Sequence, residues 1–178
     1  MIQIRIHGRG GQGVVTAAEL IAIAAFKNGK IAQAFPSFGV ERTGAPVESF
    51  ARIDDKPIRT REQVNNPDIL IVQDPTLLGS PALERGCSKE TIAIINTSKS
   101  KKELNLPFKK IYTVDATKIA LDVIGKNIIN TTILGAFSKA TNLINIGSLK
   151  EAIKEKFQEK GEAVIEKNIK AIEEAYKM

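Results

Sequence analysis

The pattern of apolar and polar positions predicts strands and helices that alternate over the first two thirds of the chain. The run from Ile2 to His7 alternates residue by residue, which predicts a strand, and an Ala-rich helical run follows from Gly13 to about Asn28. Residues 68–73 have a continuous apolar centre, which indicates a strand covered on both faces. Further strands are predicted over residues 31–35, 47–53, 91–95 and 110–114.

Helical patterns connect the later strands and fill the last third of the chain. Short helices are predicted from Thr76 to Glu84 and from Asp115 to Ile124. Residues 130–132 are expected to cap a helix that ends near Asn142, and Ser148 is expected to cap the next helix. Apolar residues recur at helical spacing beyond this point: Leu149, Ile153 and Phe157, then Ile165, Ile169, Ile172 and Tyr176. Surface ion pairs are predicted for Glu166/Lys170 and Glu173/Lys177.

This order of elements indicates an α/β fold with a largely parallel sheet and a helical C-terminal third. A single Rossmann-like domain is expected over residues 1–178, because the length suits one domain and no linker or repeat marks a second. The predicted strands end in polar turns that begin at Asp74, Asn96 and Asp115. Ligands bind at the carboxyl ends of strands in open α/β sheets, so a site is expected along that edge.

Composition narrows the range of partners. The net charge of +6 comes from 26 Lys and Arg against 20 Asp and Glu, and it favours anionic partners in general. The charges are interspersed and no aromatic residues interleave with a basic stripe, so nucleic acid is not expected. No apolar run reaches the roughly 18 residues of a membrane span, and the N-terminus lacks the features of a secretory signal. We expect a cytoplasmic protein that does not contact a membrane.

The single cysteine and the single histidine limit the chemistry within this chain. Cys87 alone cannot form an internal disulfide or an all-cysteine iron–sulfur or zinc site, and it lies in a polar turn without a second cysteine nearby. A lone histidine at a strand end, as His7 is, is more often packed or hydrogen-bonded than catalytic. The sequence therefore predicts no catalytic residue and no metal site.

The segment that joins the first strand to the first helix is the strongest candidate for a binding site. It consists of Gly8, Arg9, Gly10, Gly11, Gln12 and Gly13. Glycines permit positive φ and close approach, and the N–H groups at a helix start attract anions such as phosphate. The spacing fits the dinucleotide fingerprint, but the acidic residue expected about 20 residues later is missing, since Glu41 is the first acid after the helix. A tight turn that only packs the helix on the strand is the alternative.

A loop rich in proline and glycine, residues 36–46, is the second candidate. Two prolines and two glycines exclude regular structure there. Phe35 and Phe38 could anchor a partner, and Glu41 with Arg42 could form an ion pair between subunits. Arg42 could instead contact an anionic ligand. A loop that packs only on its own chain is the third interpretation.

Four separate segments of the chain form a distinctive combination: residues 8–13, residues 34–47, Arg52-Ile53-Asp54 and Asp74-Pro75-Thr76-Leu77-Leu78. In this order they resemble the gamma subunit of pyruvate:ferredoxin oxidoreductase and of related 2-oxoacid:ferredoxin oxidoreductases. The similarity continues through Val114-Asp115-Ala116-Thr117 and Asn130-Thr131-Thr132 to the C-terminal helices, so it covers nearly the whole chain. Its specificity comes from the order of these separate segments.

The resemblance implies a complex that oxidatively decarboxylates pyruvate to acetyl-CoA and passes the electrons to ferredoxin. It also implies that thiamine diphosphate with Mg lies between alpha and beta subunits and that iron–sulfur clusters lie in cysteine-rich subunits, with a delta-type subunit in the same complex. This chain is then expected to bind none of these cofactors alone and to be inactive by itself. Its role would be architectural, with a possible share in the coenzyme A site through the glycine segment and Arg42. A stand-alone nucleotide- or phosphate-binding regulatory module is the alternative function.

Overall fold

A computed structural model describes residues 1–37 and 43–178. Its six strands are β1 (Ile2–Arg9), β2 (Ile31–Pro36), β3 (Pro46–Asp54), β4 (Ile69–Val72), β5 (Ile92–Asn96) and β6 (Lys110–Val114). Its six α-helices are α1 (Val14–Lys27), α2 (Pro81–Glu84), α3 (Ala116–Val123), α4 (Ile129–Thr141), α5 (Ile146–Lys156) and α6 (Glu162–Tyr176). Single 3₁₀ turns occur at Pro75–Leu77, Lys101–Glu103 and Gln158–Lys160.

All six strands form one sheet in the order β2-β3-β1-β4-β5-β6. The pairs β1–β4, β4–β5 and β5–β6 are parallel, whereas β3 is antiparallel to both of its neighbours, β1 and β2. Five strands therefore run in one direction and only β3 opposes them. The predicted α/β fold with a largely parallel sheet and a helical C-terminal third is confirmed.

The two faces of the sheet are covered differently. One face packs against α1 and α4, and α5 and α6 pack on these helices, in a large core of mainly Ile, Leu, Val and Ala side chains. The other face carries a smaller cluster beneath α2 and the neighbouring loops: Leu70, Val72, Leu77, Leu83, Ala93, Ile95 and Phe108. Because both faces are covered, β4 is buried throughout, as its continuous apolar centre predicts.

A buried arginine on β1 ties the loops to this second face. Arg5 has no exposed surface, and its guanidinium donates to the backbone oxygens of Leu83 at 2.9 Å and Arg85 at 2.7 Å. It also donates to the oxygens of Val64 and Asn65, each at 3.4 Å. The segment before β4 and the segment after α2 are thus held by one side chain.

Several local expectations are wrong. The helix predicted over residues 76–84 is instead a 3₁₀ turn followed by the separate helix α2, because Gly79 adopts φ 81° and Pro81 starts a new helix. Residues 130–132 lie buried inside α4 and do not cap it. The side chain of Asn145, not that of Ser148, caps α5 by accepting from the Ser148 N–H at 2.7 Å. Glu173 pairs with Lys150 and Lys177 with Glu174 in place of the predicted Glu173/Lys177 pair. The predicted pair of Glu166 with Lys170 does not form in the described part of the chain.

None of the helices in the described part of the chain combines the length and hydrophobicity that a transmembrane helix needs.

Candidate functional site

The candidate site lies at the carboxyl edge of the sheet, where the chain direction divides. From β1 the chain passes through α1 to β2 and β3 on one side, whereas β4 leads to β5 and β6 on the other side. The carboxyl ends of β1 and β4 therefore flank a topological switch point, the usual position of a ligand crevice in this class of sheet. The glycine segment follows β1 there, and the turn at Asp74 follows β4.

Packing explains two of the four glycines in this segment. A Cβ on Gly8 would lie 2.6 Å from Cγ2 of Val14, and a Cβ on Gly13 would lie 2.4 Å from Nδ2 of Asn130. Gly11 has open space around it but adopts φ 95°, which disfavours any side chain. Close packing of strand, turn and helix is therefore established for this turn, whatever it binds.

Three N–H groups of the glycine segment already donate hydrogen bonds within the chain. The Gly10 N–H donates to the oxygen of Ala45 at 2.9 Å, and the Gln12 N–H donates to the oxygen of Arg9 at 3.0 Å. The Arg9 N–H donates to Oε1 of Gln12 at 2.8 Å. These three amides are not available to a ligand in this conformation.

The start of α1 keeps its capacity to attract an anion. Among the described residues no side chain caps α1, whose N-cap is Gly13, and the first turn contains no acidic residue. The amides at the start of a helix carry partial positive charge and lack partners within the helix. A hollow of about 280 Å³ opens beside this helix start. It is lined by Arg9, Gly10, Gly11, Gly13, Val14, Val15 and Val47.

Arg9 and Gln12 are both held by Asp74, the second residue after β4. Arg9 Nε lies 3.4 Å from Oδ2 of Asp74, and Gln12 Nε2 donates to the same oxygen at 2.8 Å. Arg9 also donates to Oγ1 of Thr76 at 2.8 Å and to the oxygen of Gly44 at 3.0 Å. Burial alone would raise the pKa of Asp74, but hydrogen bonds from Thr76 and Gln12 and the charge of Arg9 outweigh it and lower that pKa. An ionised Asp74 thus fixes the guanidinium at the switch point.

The predicted loop site can be placed only by its ends. Arg42, with Phe38 and Glu41, lies outside the described residues. Directly after these residues, Thr43 forms a β-bridge with Gly10, and the Gly44 N–H donates to the oxygen of Gly10 at 3.1 Å. Residues 43–45 therefore lie directly on the glycine turn. Phe35, the predicted partner anchor, packs on Phe50 within its own sheet, with ring centres 5.2 Å apart.

His7 and Cys87 have the surroundings of structural residues. His7 is 4% exposed, and burial, together with the charges of Arg5 and Arg85, lowers its pKa to about 3. It is therefore neutral at physiological pH. Burial raises the pKa of the Cys87 thiol, whose sulfur accepts from Arg5 at 3.4 Å. A thiol with a raised pKa is a poor nucleophile, which agrees with the structural role expected from the sequence.

Residues 3–178 match the protein family described as pyruvate ferredoxin/flavodoxin oxidoreductase. The chain belongs to this family. It is 54% identical over 180 residues to the common gamma subunit of pyruvate/ketoisovalerate oxidoreductases from Thermococcus kodakarensis, covering 99% of this chain and 96% of that relative. The crystal structure of pyruvate oxidoreductase subunit PORC from Thermotoga maritima is similar with a TM-score of 0.86 and 40% identity, covering 99% and 95% of the two chains.

A third similarity concerns the fold alone. The 2-oxoglutarate:ferredoxin oxidoreductase from Magnetococcus marinus, solved with 2-oxoglutarate, coenzyme A and succinyl-CoA bound, has a TM-score of 0.81 at 21% identity. The match covers 99% of this chain and 30% of that one.

The family assignment makes this chain a gamma subunit of a pyruvate or 2-oxoacid:ferredoxin oxidoreductase, a multi-subunit enzyme. The alternative function, a stand-alone regulatory module, is not supported. The site residues predicted from the sequence of this gamma subunit do not include Asp74, Thr76 or Asn130. The polar turn after β4 was a usable signal for the first two. The contact of Asn130 with Gly13 could not be predicted, because it joins distant parts of the chain.

Proposed function

We propose that this gamma subunit supplies part of the coenzyme A site of the complex, at the start of α1. The observation that carries the proposal is the uncapped start of this 14-residue helix beside the Arg9 guanidinium, at the switch point of the sheet. Coenzyme A is a substrate that carries phosphates. It is also bound in the solved Magnetococcus marinus enzyme, which shares the fold.

The residues present suit a diphosphate. The N–H groups at positions 13–15 and the guanidinium of Arg9 would hold the anion, while Gly10 and Gly11 leave the approach free of side chains. Arg9 is already oriented by Asp74, so little side-chain entropy is lost when it meets a phosphate. The proposal includes Arg42, as either a second phosphate contact or a contact to a neighbouring subunit.

The redox chemistry belongs, in this proposal, to the partner subunits. One cysteine cannot ligate a four-cysteine cluster, so iron–sulfur clusters, and thiamine diphosphate with Mg, are assigned to alpha, beta and delta-type subunits. Ferredoxin would be reached through the complex. We further propose that residues 1–178 form one domain and that the complex is cytoplasmic.

A negative charge introduced at position 15 tests whether the start of α1 binds coenzyme A. Val15 is half-buried, lines the hollow, and occupies the first turn of α1. An acid there favours the helix because it faces the positive end of the helix dipole, yet it repels phosphate. In the assembled complex, Val15→Asp should raise KM for coenzyme A about tenfold or more. The rate at saturating coenzyme A should change little.

Val15→Asn is the matched control, because it has the same shape without the charge. It should leave KM for coenzyme A within about twofold of its wild-type value, which corresponds to a few tenths of a kcal/mol. The release of CO₂ from the 2-oxoacid in the absence of coenzyme A should be equal in both variants. Equal KM values for the Asp and Asn variants would remove the start of α1 from the coenzyme A site.

A further inference from the structure

A second, larger hollow lies at the same edge of the sheet, beyond the turn at Asp74. It has a volume of about 450 Å³ and opens over the carboxyl ends of β5 and β6. Its lining combines four hydroxyl groups with one cation and one anion: Thr76, Thr97, Ser98, Thr117, Lys99 and Asp115. Hydroxyl groups that surround a single charge of each sign are suited to a polyhydroxylated, partly anionic ligand rather than to an apolar one.

The floor of this hollow is rigid. Asn96 is 1% exposed and donates from Nδ2 to the oxygen of Gln73 at 2.8 Å and to Oγ1 of Thr117 at 2.9 Å. Its own Oδ1 accepts from the Thr117 N–H at 3.1 Å. Thr117 is therefore placed by a fully bonded amide, and a ligand would find this side chain already ordered.

Asp115 is oriented by the helix that follows it. Its Oδ1 accepts from the Lys118 N–H at 2.9 Å as the N-cap of α3. Within the described part of the chain, Oδ2 makes no hydrogen bond. The carboxylate thus presents a free oxygen acceptor to the hollow, the group that commonly binds the hydroxyls of a ribose.

The hollow adjoins the proposed diphosphate site at Thr76. Thr76 lines the hollow and is also the residue to which Arg9 donates at 2.8 Å. Lys99 follows β5, two strands away from β1, which corresponds to about 10 Å across the sheet. Lys99 forms no ion pair with the acids that the structure describes. One cation, Lys99, therefore lines the hollow, and a second, Arg9, adjoins it at Thr76.

We propose that this hollow binds a ribose that carries phosphates at two positions, the nucleotide end of coenzyme A. Lys99 binds the phosphate on the ribose ring, and Asp115 accepts a hydrogen bond from the free ribose hydroxyl. The diphosphate then extends towards Arg9 and the start of α1. This inference rests on the proposed function, because it assumes that coenzyme A meets this subunit.

The ribose phosphate can be tested by removing it from the ligand. Steady-state rates of the assembled complex would be measured with coenzyme A and with 3′-dephospho-coenzyme A. Lys99→Gln should raise KM for coenzyme A about tenfold, the value of one charge-assisted hydrogen bond, and leave kcat unchanged. KM for the dephospho compound should not change. The variant therefore loses the ability to distinguish the two compounds.

Two further variants make the result specific. Lys102→Gln removes the same charge from an exposed lysine outside the hollow and should leave both KM values unchanged. Asp115→Asn keeps the cap of α3, since asparagine caps equally well, and should raise both KM values by the same factor.

The inference is overturned if Lys99→Gln changes both KM values equally or changes neither. If Val15→Asp still raises KM for coenzyme A in that case, the proposed function stands and only the position of the nucleotide is wrong. If neither variant acts on coenzyme A, the proposed function fails as well.

Discussion

Arg5, His7 and Arg9 alternate along β1 and so share one face of the sheet, yet each has a different environment. Arg5 is fully buried against backbone oxygens, His7 is buried and neutral, and Arg9 remains one-third exposed beside Asp74. The alternation in the sequence predicts the strand but not the burial of its polar face. That burial depends on loops that cover the second face, and no local pattern encodes them.

The environment of His7 makes stability depend on pH. The unfolded chain binds a proton on His7 near pH 6.5, whereas the folded chain does so only near its lowered pKa of about 3. Protonation therefore favours unfolding as the pH falls below 6.5, and the stability is regained above it. From about pH 7.5 to about pH 5 the free energy of unfolding of the isolated subunit should fall by about 2 kcal/mol from this residue. Urea titrations at both pH values measure it.

His7→Leu removes the proton site while keeping an apolar group in the buried position. Because His7 is the only histidine, the variant should lose this part of the pH dependence above pH 5, where carboxylates remain ionised. An unchanged slope in the variant would mean that His7 is protonated in the folded state or that another group titrates.

At the scale of elements, the backbones of α4 and α6 approach each other closely at a glycine. A Cβ on Gly135 of α4 would lie 2.1 Å from the backbone oxygen of Ile172 in α6. Alanine is the better helix former by about 1 kcal/mol, but the two backbones would have to separate. Gly135→Ala should therefore destabilise the subunit by about 2 kcal/mol or more, measured by urea unfolding.

Gly147 of α5 is the comparison for this prediction. The nearest atom to a Cβ there is the side-chain oxygen of Asn145 at 3.1 Å, and a shift of a few tenths of an ångström relieves this contact while the oxygen still accepts from the Ser148 N–H. Gly147→Ala should change the free energy of unfolding by no more than about 1 kcal/mol. Similar losses in both variants would indicate a general intolerance of alanine rather than a close contact between α4 and α6.

The sequence predicts an element correctly where the signals for it are local. Strand β6 was predicted with its observed ends, because alternation and a following Asp115 are local signals. The sequence predicts the cap of α5 at Ser148, whereas Asn145, three residues earlier, caps the helix. Serine and asparagine cap equally well, so the local pattern does not decide between them. In the site, glycines 8–13 were found from local chemistry. The partners of Arg9 at the turn after β4 follow only once β1 and β4 are neighbours.

At the scale of the whole molecule, we expect the subunit to supply a binding surface and its partner subunits to supply the reaction centre. Among the described residues no group of three or more His, Cys, Asp or Glu side chains could hold a metal ion. We expect the purified subunit to show no visible absorbance and no pyruvate-dependent dye reduction, since it lacks ligands for a cluster. The assembled complex should show both. A visible spectrum from the subunit alone, or dye reduction by it, would contradict the assignment of the redox centres to partner subunits.

The position of β3 determines when the sheet can form during synthesis. Strand β2 precedes β3 in the chain, and β3 is its single neighbour among the strands that the structure describes; β1 pairs with β3 and β4, which also come later. As the chain leaves the ribosome, β1 and β2 therefore emerge without any strand to join. Until residue 54 has emerged, α1 is the only element of this half that can order, and the hydrophobic residues of β1 and β2 depend on it, or on a chaperone, for cover.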